Sequence, residues 1–255
     1  MMNLAELAEY VDEAARTATE IPQISDKTPL TVEDAYAVQA LSMQRRYARG
    51  EKRIGIKMGL TSRAKMVQVG VSDVIWGRLT DAMREDEGGV VSMAKYVHPR
   101  VEPEIAFLMK KPLSGNVSAL EAMAAVEAVA PALEIIDSRY KAFKFDVGDV
   151  IADNSSSSGF VLGTWHSPEI DLSNLGMVLS INGRPQEIGS SAAILGNPVR
   201  SLVAAARMVA SAGEELKAGD IVLAGGATAA IPMAAGQSVL LEVETLGMIG
   251  FNIGE

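Results

Sequence analysis

Residues 101–107 read VEPEIAF, a run in which acidic and apolar side chains alternate. Successive side chains of a β-strand point to opposite faces, so Glu102 and Glu104 share one face while Val101 and Ile105 take the other. Two glutamates on a strand are ordinarily a solvated face, since glutamate is mostly exposed in proteins. The run therefore predicts a strand and leaves the role of its two acids open.

A third carboxylate, Glu134, lies inside the apolar run AVAPALEII at residues 128–136. An ionised carboxylate is costly to bury unless a cation accompanies it. Two explanations stay open: a buried ion pair, for which Arg139 is a candidate, or a cluster with Glu102 and Glu104 around a divalent cation. Oxygen ligands without thiolates suit Mg²⁺, or Mn²⁺ as an alternative.

The composition limits the possible functions. The 255 residues carry a formal charge of −9 without a basic block, which argues against nucleic-acid or membrane-surface partners. The absence of cysteine excludes disulfides and thiolate chemistry, and it fits a cytoplasmic enzyme. The N-terminus is acidic and amphipathic, unlike a signal peptide. The two histidines, His98 and His166, have no ligand spacing and are interpreted as structural, and no G-x-S-x-G elbow supports a serine hydrolase.

The apolar spacing predicts an α+β protein. Helical spacing begins at Leu4, and Thr31 is expected to cap a second helix that runs to about Gly50. Short strands follow, interrupted by two helices. The predicted strands are 53–60, 101–108, 129–136, 160–163, 177–181, 220–224, 238–245 and 246–253, and the predicted helices are 119–127 and 199–212. Residues 155–158 are expected to form a polar turn.

Two further stretches are candidates for chemistry. Lys57 lies in the apolar run IGIKMGLTS at 54–62, where a cation either snorkels to solvent or is placed for a purpose. The glycine-rich loop GGATAAIPMAAG at 225–236 allows backbone N–H groups to approach an anion, although Thr228 is equally explained as a loop hydroxyl. Lys141 is assigned to solvent.

Five blocks, in order, cover nearly the whole chain: IGIKMGLTSRAKMVQVGV at 54–71, HPRVEPEIAF at 98–107, PALEIIDSRYKAFKFD at 131–146, VIADNSSSS at 150–158 and LAGGATAAIPMAAG at 223–236. Together they resemble the hydratase/decarboxylase branch of the fumarylacetoacetate hydrolase superfamily. The resemblance implies a mixed β-roll or sandwich with N-terminal and peripheral helices. It divides the chain into a helical region at 1–55 and a catalytic β-roll at 56–255.

The same resemblance implies a site. It assigns Glu102, Glu104 and Glu134 as ligands of Mg²⁺ or Mn²⁺ and Lys57 as a catalytic residue. The residues it implies for substrate binding are Leu60, Asn154, Ser156, Thr228 and Ala229. It also implies a homo-oligomer and a possible complex with a hydratase.

One position separates two sibling activities of this branch. Hydratases carry an Asp before an aromatic-Gly pair, whereas VIWG places Ile75 there, so the chain resembles the decarboxylases. These remove CO₂ from 2-oxo-3-hexenedioate (4-oxalocrotonate) in the meta-cleavage breakdown of aromatic compounds. Ile75 and Arg139 are then catalytic candidates, and Arg100 or Arg139 would meet the second carboxylate. A 2-hydroxypenta-2,4-dienoate hydratase and a non-catalytic partner subunit remain the alternatives.

Overall fold

The computed structural model describes residues 2–70 and 72–255, so Val71, the last residue of the 54–71 block, lies outside the described part of the chain. The helices are α1 (Leu4–Arg16), α2 (Val32–Ala48), α3 (Arg63–Val69), α4 (Ala119–Ala124), α5 (Val147–Ala152) and α6 (Pro198–Ser211). The strands are β1 (Arg53–Gly59), β2 (Ile75–Thr80), β3 (Val90–Ser92), β4 (Arg100–Met109), β5 (Val126–Ile136), β6 (Ser157–Leu162), β7 (Gly176–Ile181), β8 (Arg184–Ser190), β9 (Ile221–Leu223), β10 (Ile231–Pro232), β11 (Ser238–Val243) and β12 (Gly247–Gly254).

The strands form two sheets. The first has the order β2-β1-β9-β4-β5-β6, with β10 paired to β4 beside this path, and the second has the order β3-β12-β11-β7-β8. Parallel pairs, β1 with β9 and β3 with β12, occur among antiparallel ones. The α+β class and the mixed β-roll predicted from the sequence are confirmed.

The register between β4 and β5 decides which side chains meet. The two strands are antiparallel, with Glu102 opposite Glu134 and Glu104 opposite Ala132. Directly opposed residues project from the same face of a sheet. All three glutamates therefore lie on one face, as the alternation in residues 101–107 predicts for its two acids.

The two faces of this sheet are buried differently. Ile105, Phe107 and Leu133 lie in one apolar cluster with Val239 and Leu241 of the second sheet. The glutamate face carries a smaller apolar cluster that includes Ala106, Phe160 and Leu223. The acids thus occupy the inner side of the rolled sheet, beside a compact apolar core.

The N-terminal helices pack on the roll. Thr31 caps α2 by accepting a hydrogen bond from the backbone N–H of Asp34, which confirms the predicted N-cap. Within α2, the Gln39 side chain donates to the carbonyls of Trp76 and Ile151, so the helix is bonded to β2 and α5. The division at residues 55 and 56 stays a prediction, and it falls within β1. No helix in the described part of the chain is long and apolar enough to cross a membrane.

The predicted end of the helix before β5 is wrong, and β6 begins at Ser157, three residues before the strand expected at 160–163. The helix expected at 119–127 ends at Ala124, and β5 already begins at Val126, opposite Met109 of β4. The alanine-rich sequence favours a helix locally, but pairing with β4 and burial of Val126 outweigh that preference. Six other elements of the described chain were not predicted from the sequence: α3, α5, β2, β3, β8 and β10.

Candidate metal centre and active site

Glu102, Glu104 and Glu134 converge on one point of the inner sheet face. Each contributes a carboxylate oxygen, and these oxygens lie within 4.8 Å of one another. The three residues are buried, with relative exposures of 6%, 0% and 0%. Carboxylates this close repel one another, and the other two acids together with burial raise the pKa of Glu104 well above its usual range.

The hydrogen bonding of the cluster fits a hard divalent cation. The backbone N–H of Gly225 donates to Oε2 of Glu104 at 2.7 Å. Oε1 of Glu104 and Oε1 of Glu134 are buried and have no hydrogen-bond partner among the described residues. Buried oxygens normally accept a hydrogen bond from the protein or from water. These two oxygens are therefore available to bind a ligand such as a metal ion. Three carboxylates, of which Glu104 and Glu134 each have an unpartnered oxygen, are a donor set that suits Mg²⁺.

Lys57 is part of the same cluster. Its Nζ donates to Oε2 of Glu134 at 3.0 Å, and both side chains are buried. Burial opposes the charged amine, but the nearby charges of Glu134, Glu102 and Glu104 together raise the pKa of Lys57 above its ordinary value. Lys57 is therefore an ammonium ion placed within the site rather than a snorkelling side chain.

Arg139 is bound to residues outside the glutamate cluster. Its Nε donates to Oδ1 of Asp153 at 2.7 Å, and its Nη1 donates to Oγ of Ser158. The alternative in which Glu134 pairs with Arg139 is wrong, because Glu134 pairs with Lys57. Arg139 also lines a polar cleft of about 290 Å³, whose lining includes none of the three glutamates. A catalytic role for Arg139 stays a prediction.

The predicted polar turn at 155–158 is only partly correct, because Ser157 and Ser158 already belong to β6, while residues 154–156 form a buried, left-handed segment. Asn154, Ser155 and Ser156 have φ values of 49°, 52° and 60°, an uncommon conformation for residues other than glycine. The Asn154 side chain accepts from the N–H and donates to the carbonyl of Arg78, and Ser155 Oγ donates to the carbonyl of Trp76. Such strain persists where surrounding contacts hold it, which is typical of functional segments.

A glycine on β2 allows this segment to approach the site. Gly77 pairs with Lys57, and a Cβ at Gly77 would lie 2.3 Å from the carbonyl oxygen of Asn154. A larger residue there would displace the segment. The segment with the predicted substrate-binding residues Asn154 and Ser156 thus packs on β2, the strand that pairs with the Lys57 strand.

The turn after β1 meets the glycine-rich loop. Leu60 has a φ of 56°, and the next residue, Thr61, is buried with an Oγ1 that has no partner among the described residues. A Cβ at Gly225, where φ is 102°, would lie 2.1 Å from this Oγ1, so only glycine fits. Sequence reasoning missed both Thr61 and the Gly225 amide. The position of Thr61 directly after Leu60 was the only signal for it.

Thr228 and Ala229 lie further along this loop. Thr228 is half-buried and Ala229 is exposed. Thr228 Oγ1 donates to the carbonyl of Ala229 at 2.9 Å, and its methyl group faces Gly189 of β8. Their role in substrate binding stays a prediction.

Ile75 begins β2 and is buried, with a relative exposure of 5%. It pairs with Gly59, two residues beyond Lys57 on the same sheet face. Its side chain packs with the N-terminal helices, in a cluster that includes Val38 and Ile151. A catalytic role for Ile75 stays a prediction.

The histidines have structural partners. His98 Nδ1 lies 2.8 Å from the carbonyl oxygen of Ser138, and its Nε2 lies 3.0 Å from Glu20. His166 Nε2 lies 3.0 Å from the carbonyl oxygen of Leu246. Lys141 is exposed, as expected.

Comparison with known proteins gives consistent matches. The family model for the fumarylacetoacetate (FAA) hydrolase C-terminal domain matches residues 52–253. A 4-oxalocrotonate decarboxylase from a Pseudomonas species is 57% identical over 98% of both chains. A 2-hydroxyhexa-2,4-dienoate hydratase from Comamonas testosteroni is 36% identical over 95% of this chain and 94% of its own.

A solved structure agrees over the full length. The 4-oxalocrotonate decarboxylase from Pseudomonas putida G7, complexed with magnesium and adipate, superposes with a TM-score of 0.96 at 40% identity and covers 99% of both chains. The family match spans most of the chain, and the relatives cover nearly all of it. The chain therefore belongs to the fumarylacetoacetate hydrolase family.

Proposed function

We propose that this chain is a metal-dependent lyase that converts 2-oxo-3-hexenedioate to 2-hydroxypenta-2,4-dienoate and CO₂. The observation that carries the proposal is the buried cluster of three glutamates with the Lys57 ammonium 3.0 Å from Glu134. Full-length similarity to 4-oxalocrotonate decarboxylases supports it, since the similar hydratases are more distant. Adipate, held by the related structure, has the same six-carbon chain and two carboxylates as this substrate.

Glu102, Glu104 and Glu134 would hold the divalent cation, and magnesium is favoured because the related structure contains it. When bound, the cation supplies a Lewis acid at the oxygen on which negative charge develops. The unpartnered oxygens of Glu104 and Glu134 are the feature of this chain that favours such a ligand.

Loss of carbon dioxide shifts three electron pairs along the substrate. The C5–C6 bond breaks, its electrons form the C4=C5 double bond, the C3=C4 pair moves to C2=C3, and the carbonyl pair moves to the C2 oxygen. The total charge stays at two negative units because CO₂ leaves neutral. A proton from solvent then gives the 2-hydroxy diene. No covalent nucleophile is needed.

The protein's own groups act at the 2-oxo acid end of the substrate, where the electron flow ends. Lys57 is the donor for the C2 oxygen, since a buried ammonium stabilises developing negative charge strongly. Thr228, Ala229 and neighbouring loop N–H groups would bind the C1 carboxylate, with Leu60 forming the adjacent turn.

Two other groups would shape the space around the reacting carbons. Asn154 and Ser156 close the site over β2, beside the strand that carries Lys57. Ile75 excludes water from the reacting carbons, which favours decarboxylation over hydration.

The proposal extends to the protein's setting. A cytoplasmic location, a homo-oligomer and a complex with a 2-hydroxypentadienoate hydratase are parts of it that rest on the family resemblance. The related structure supports a small dicarboxylate as the ligand.

The test measures CO₂ and product together. Metal-free protein is given 2-oxo-3-hexenedioate with and without Mg²⁺, beside the Glu104→Gln variant treated identically. Metal-dependent CO₂ release with 2-hydroxypenta-2,4-dienoate as product, reduced in the variant, is the expected result. Hydration of the dienoate without CO₂ release would favour the hydratase, and neither reaction would favour a non-catalytic subunit.

A further inference from the structure

Arg100 begins β4, two residues before Glu102 and on the same face of the strand. It is half-buried, and its Cζ lies 4.1 Å from the centroid of the Phe143 ring. Within the described residues its guanidinium makes this stacking contact and no ion pair. An arginine stacked on an aromatic face keeps its fork of N–H donors open at the edge, where a carboxylate binds in bidentate geometry.

The stacking partner is held in an unusual conformation. Ala142 and Phe143 have φ values of 58° and 55°, and a bulky residue in this region is an outlier. The N-terminal segment fixes the loop: Gln23 donates to the carbonyls of Lys141 and Lys144, and the N–H of Lys141 donates to the carbonyl of Ile21. The chain thus maintains a strained turn that presents an aromatic face to Arg100.

Three other cationic residues near Phe143 are less suited to bind a carboxylate. Arg139 is buried against Asp153 and Ser158. Lys141 and Lys144 are exposed to solvent. Arg100 is the cation that shares a strand face with the metal-cluster glutamates.

The backbone spacing between Arg100 and Glu102 along β4 is similar to the length of the substrate. Two residues along a strand advance about 6.6 Å. The carboxyl carbons of an extended six-carbon dicarboxylate are separated by five C–C bonds of about 1.5 Å, or about 6 Å in zigzag. Charge also favours the contact, because the carboxylate distal to the 2-oxo acid is negatively charged and the guanidinium of Arg100 is positively charged.

We propose that Arg100, held by Phe143, binds the carboxylate distal to the 2-oxo acid and selects six-carbon dicarboxylates over monocarboxylates. The inference rests on the proposed function, in which the 2-oxo acid end of the substrate binds at the cluster of three glutamates. The contact is made to the group that departs as neutral CO₂, so it is stronger in the ground state than in the transition state. Arg100 is therefore a specificity-determining residue whose loss raises KM more than it lowers kcat.

The test uses two non-reacting ligands that differ in one group, 2-oxohexanedioate and 2-oxohexanoate. Their Kd values are measured by calorimetry with the Mg²⁺-loaded wild type, Arg100→Gln, Phe143→Leu and the control Arg184→Gln, which changes an exposed arginine on β8 of the second sheet. Arg100→Gln is expected to weaken the dicarboxylate about ten- to hundredfold, leaving the monocarboxylate within about twofold. Phe143→Leu should give a smaller loss of the same kind, and the control none.

Each other outcome overturns a specific claim. If wild type binds both 2-oxo acids and Arg100→Gln leaves their affinity ratio unchanged, the role of Arg100 is refuted while the proposed function stands. An equal weakening of both ligands would show that Arg100 acts on the site as a whole and would also refute selectivity. Failure of the wild type to bind either 2-oxo acid would overturn the proposed function, and this assignment with it.

Discussion

The Nζ atom of Lys57 lies 3.0 Å from Oε2 of Glu134, and both residues are buried in the rolled sheet. One strand supplies the cation and another supplies an acid that also belongs to the proposed metal-binding cluster. Removing either partner of such a pair leaves an uncompensated charge in a poorly solvated place. The pair therefore links the stability of the site to its chemistry.

Lys57→Met removes the ammonium ion while keeping a side chain of similar length. We expect kcat for CO₂ release to fall by about 10²–10³, the usual cost of losing one preorganised donor to a developing anion. Steady-state kinetics with saturating Mg²⁺ measures this loss. Lys95→Met is the matched control, because Lys95 is half-exposed and paired with Glu85. A Lys57→Met enzyme with kcat within about twofold of the control would contradict the role.

Magnesium is expected to stabilise the fold, because it binds carboxylates that repel one another without it. At a concentration of 100 times Kd the gain is about 2.7 kcal/mol. For a chain of this size that corresponds to a rise in Tm of about 5–10 °C. Differential scanning calorimetry with and without Mg²⁺ measures it.

Glu104→Gln is the control for the magnesium effect. The substitution removes one of three buried charges, so the metal-free variant should melt at or above the temperature of metal-free wild type and respond little to Mg²⁺. An equal response of variant and wild type would show that the ion binds elsewhere.

The sequence predicted the strands of the candidate site better than the contacts between its residues. Alternation in residues 101–107 predicted a strand with two acids on one face, and the acid within residues 128–136 predicted a second strand whose glutamate needs a partner. The sequence pattern could not give the register between β4 and β5, which depends on pairing along the whole length of both strands. A slip of one residue would turn the acids of one strand to the opposite face. The Lys57–Glu134 contact joins positions 77 residues apart, and no local pattern encodes it.

The elements that sequence reasoning missed lack strong periodicity. β8 is mostly exposed, and its sequence RPQEIGS has no sustained alternation of apolar residues. β2 is buried at every position, so alternation is absent there as well. The partner of Arg139 was unpredictable for a different reason: Asp153 is 14 residues away, beyond a turn and a helix.

Ile75→Asp tests the choice between decarboxylation and hydration. Ile75 is buried on the site face of β2, and an aspartate there would admit water and a proton-transfer group. We expect CO₂ release to fall and hydration of added 2-hydroxypenta-2,4-dienoate to appear, measured by CO₂ detection and loss of diene absorbance. Ile75→Val, which stays apolar, should keep decarboxylation. An Ile75→Asp protein that folds, decarboxylates normally and gains no hydration would refute the role of Ile75.

Asp153 gives a pH dependence of stability. Burial raises the pKa of Asp153 to about 6, although the Arg139 guanidinium opposes the shift. The unfolded value is about 3.9, so the folded state binds the extra proton between these values. The contribution of Asp153 to stability is thus fully present below about pH 4 and lost as the pH rises through about 6, a change of about 3 kcal/mol.

Asp153→Asn isolates this titration, because asparagine resembles the protonated acid and does not titrate. Its cost to the Arg139 contact is independent of pH in this range, since arginine stays charged. The free energy of unfolding of the variant, relative to that of wild type, should therefore increase between pH 4 and pH 7, as measured by urea denaturation at several pH values. A relative stability that stays constant, or that decreases with pH, would mean that the folded-state pKa of Asp153 is not raised and that its ion pair with Arg139 outweighs burial.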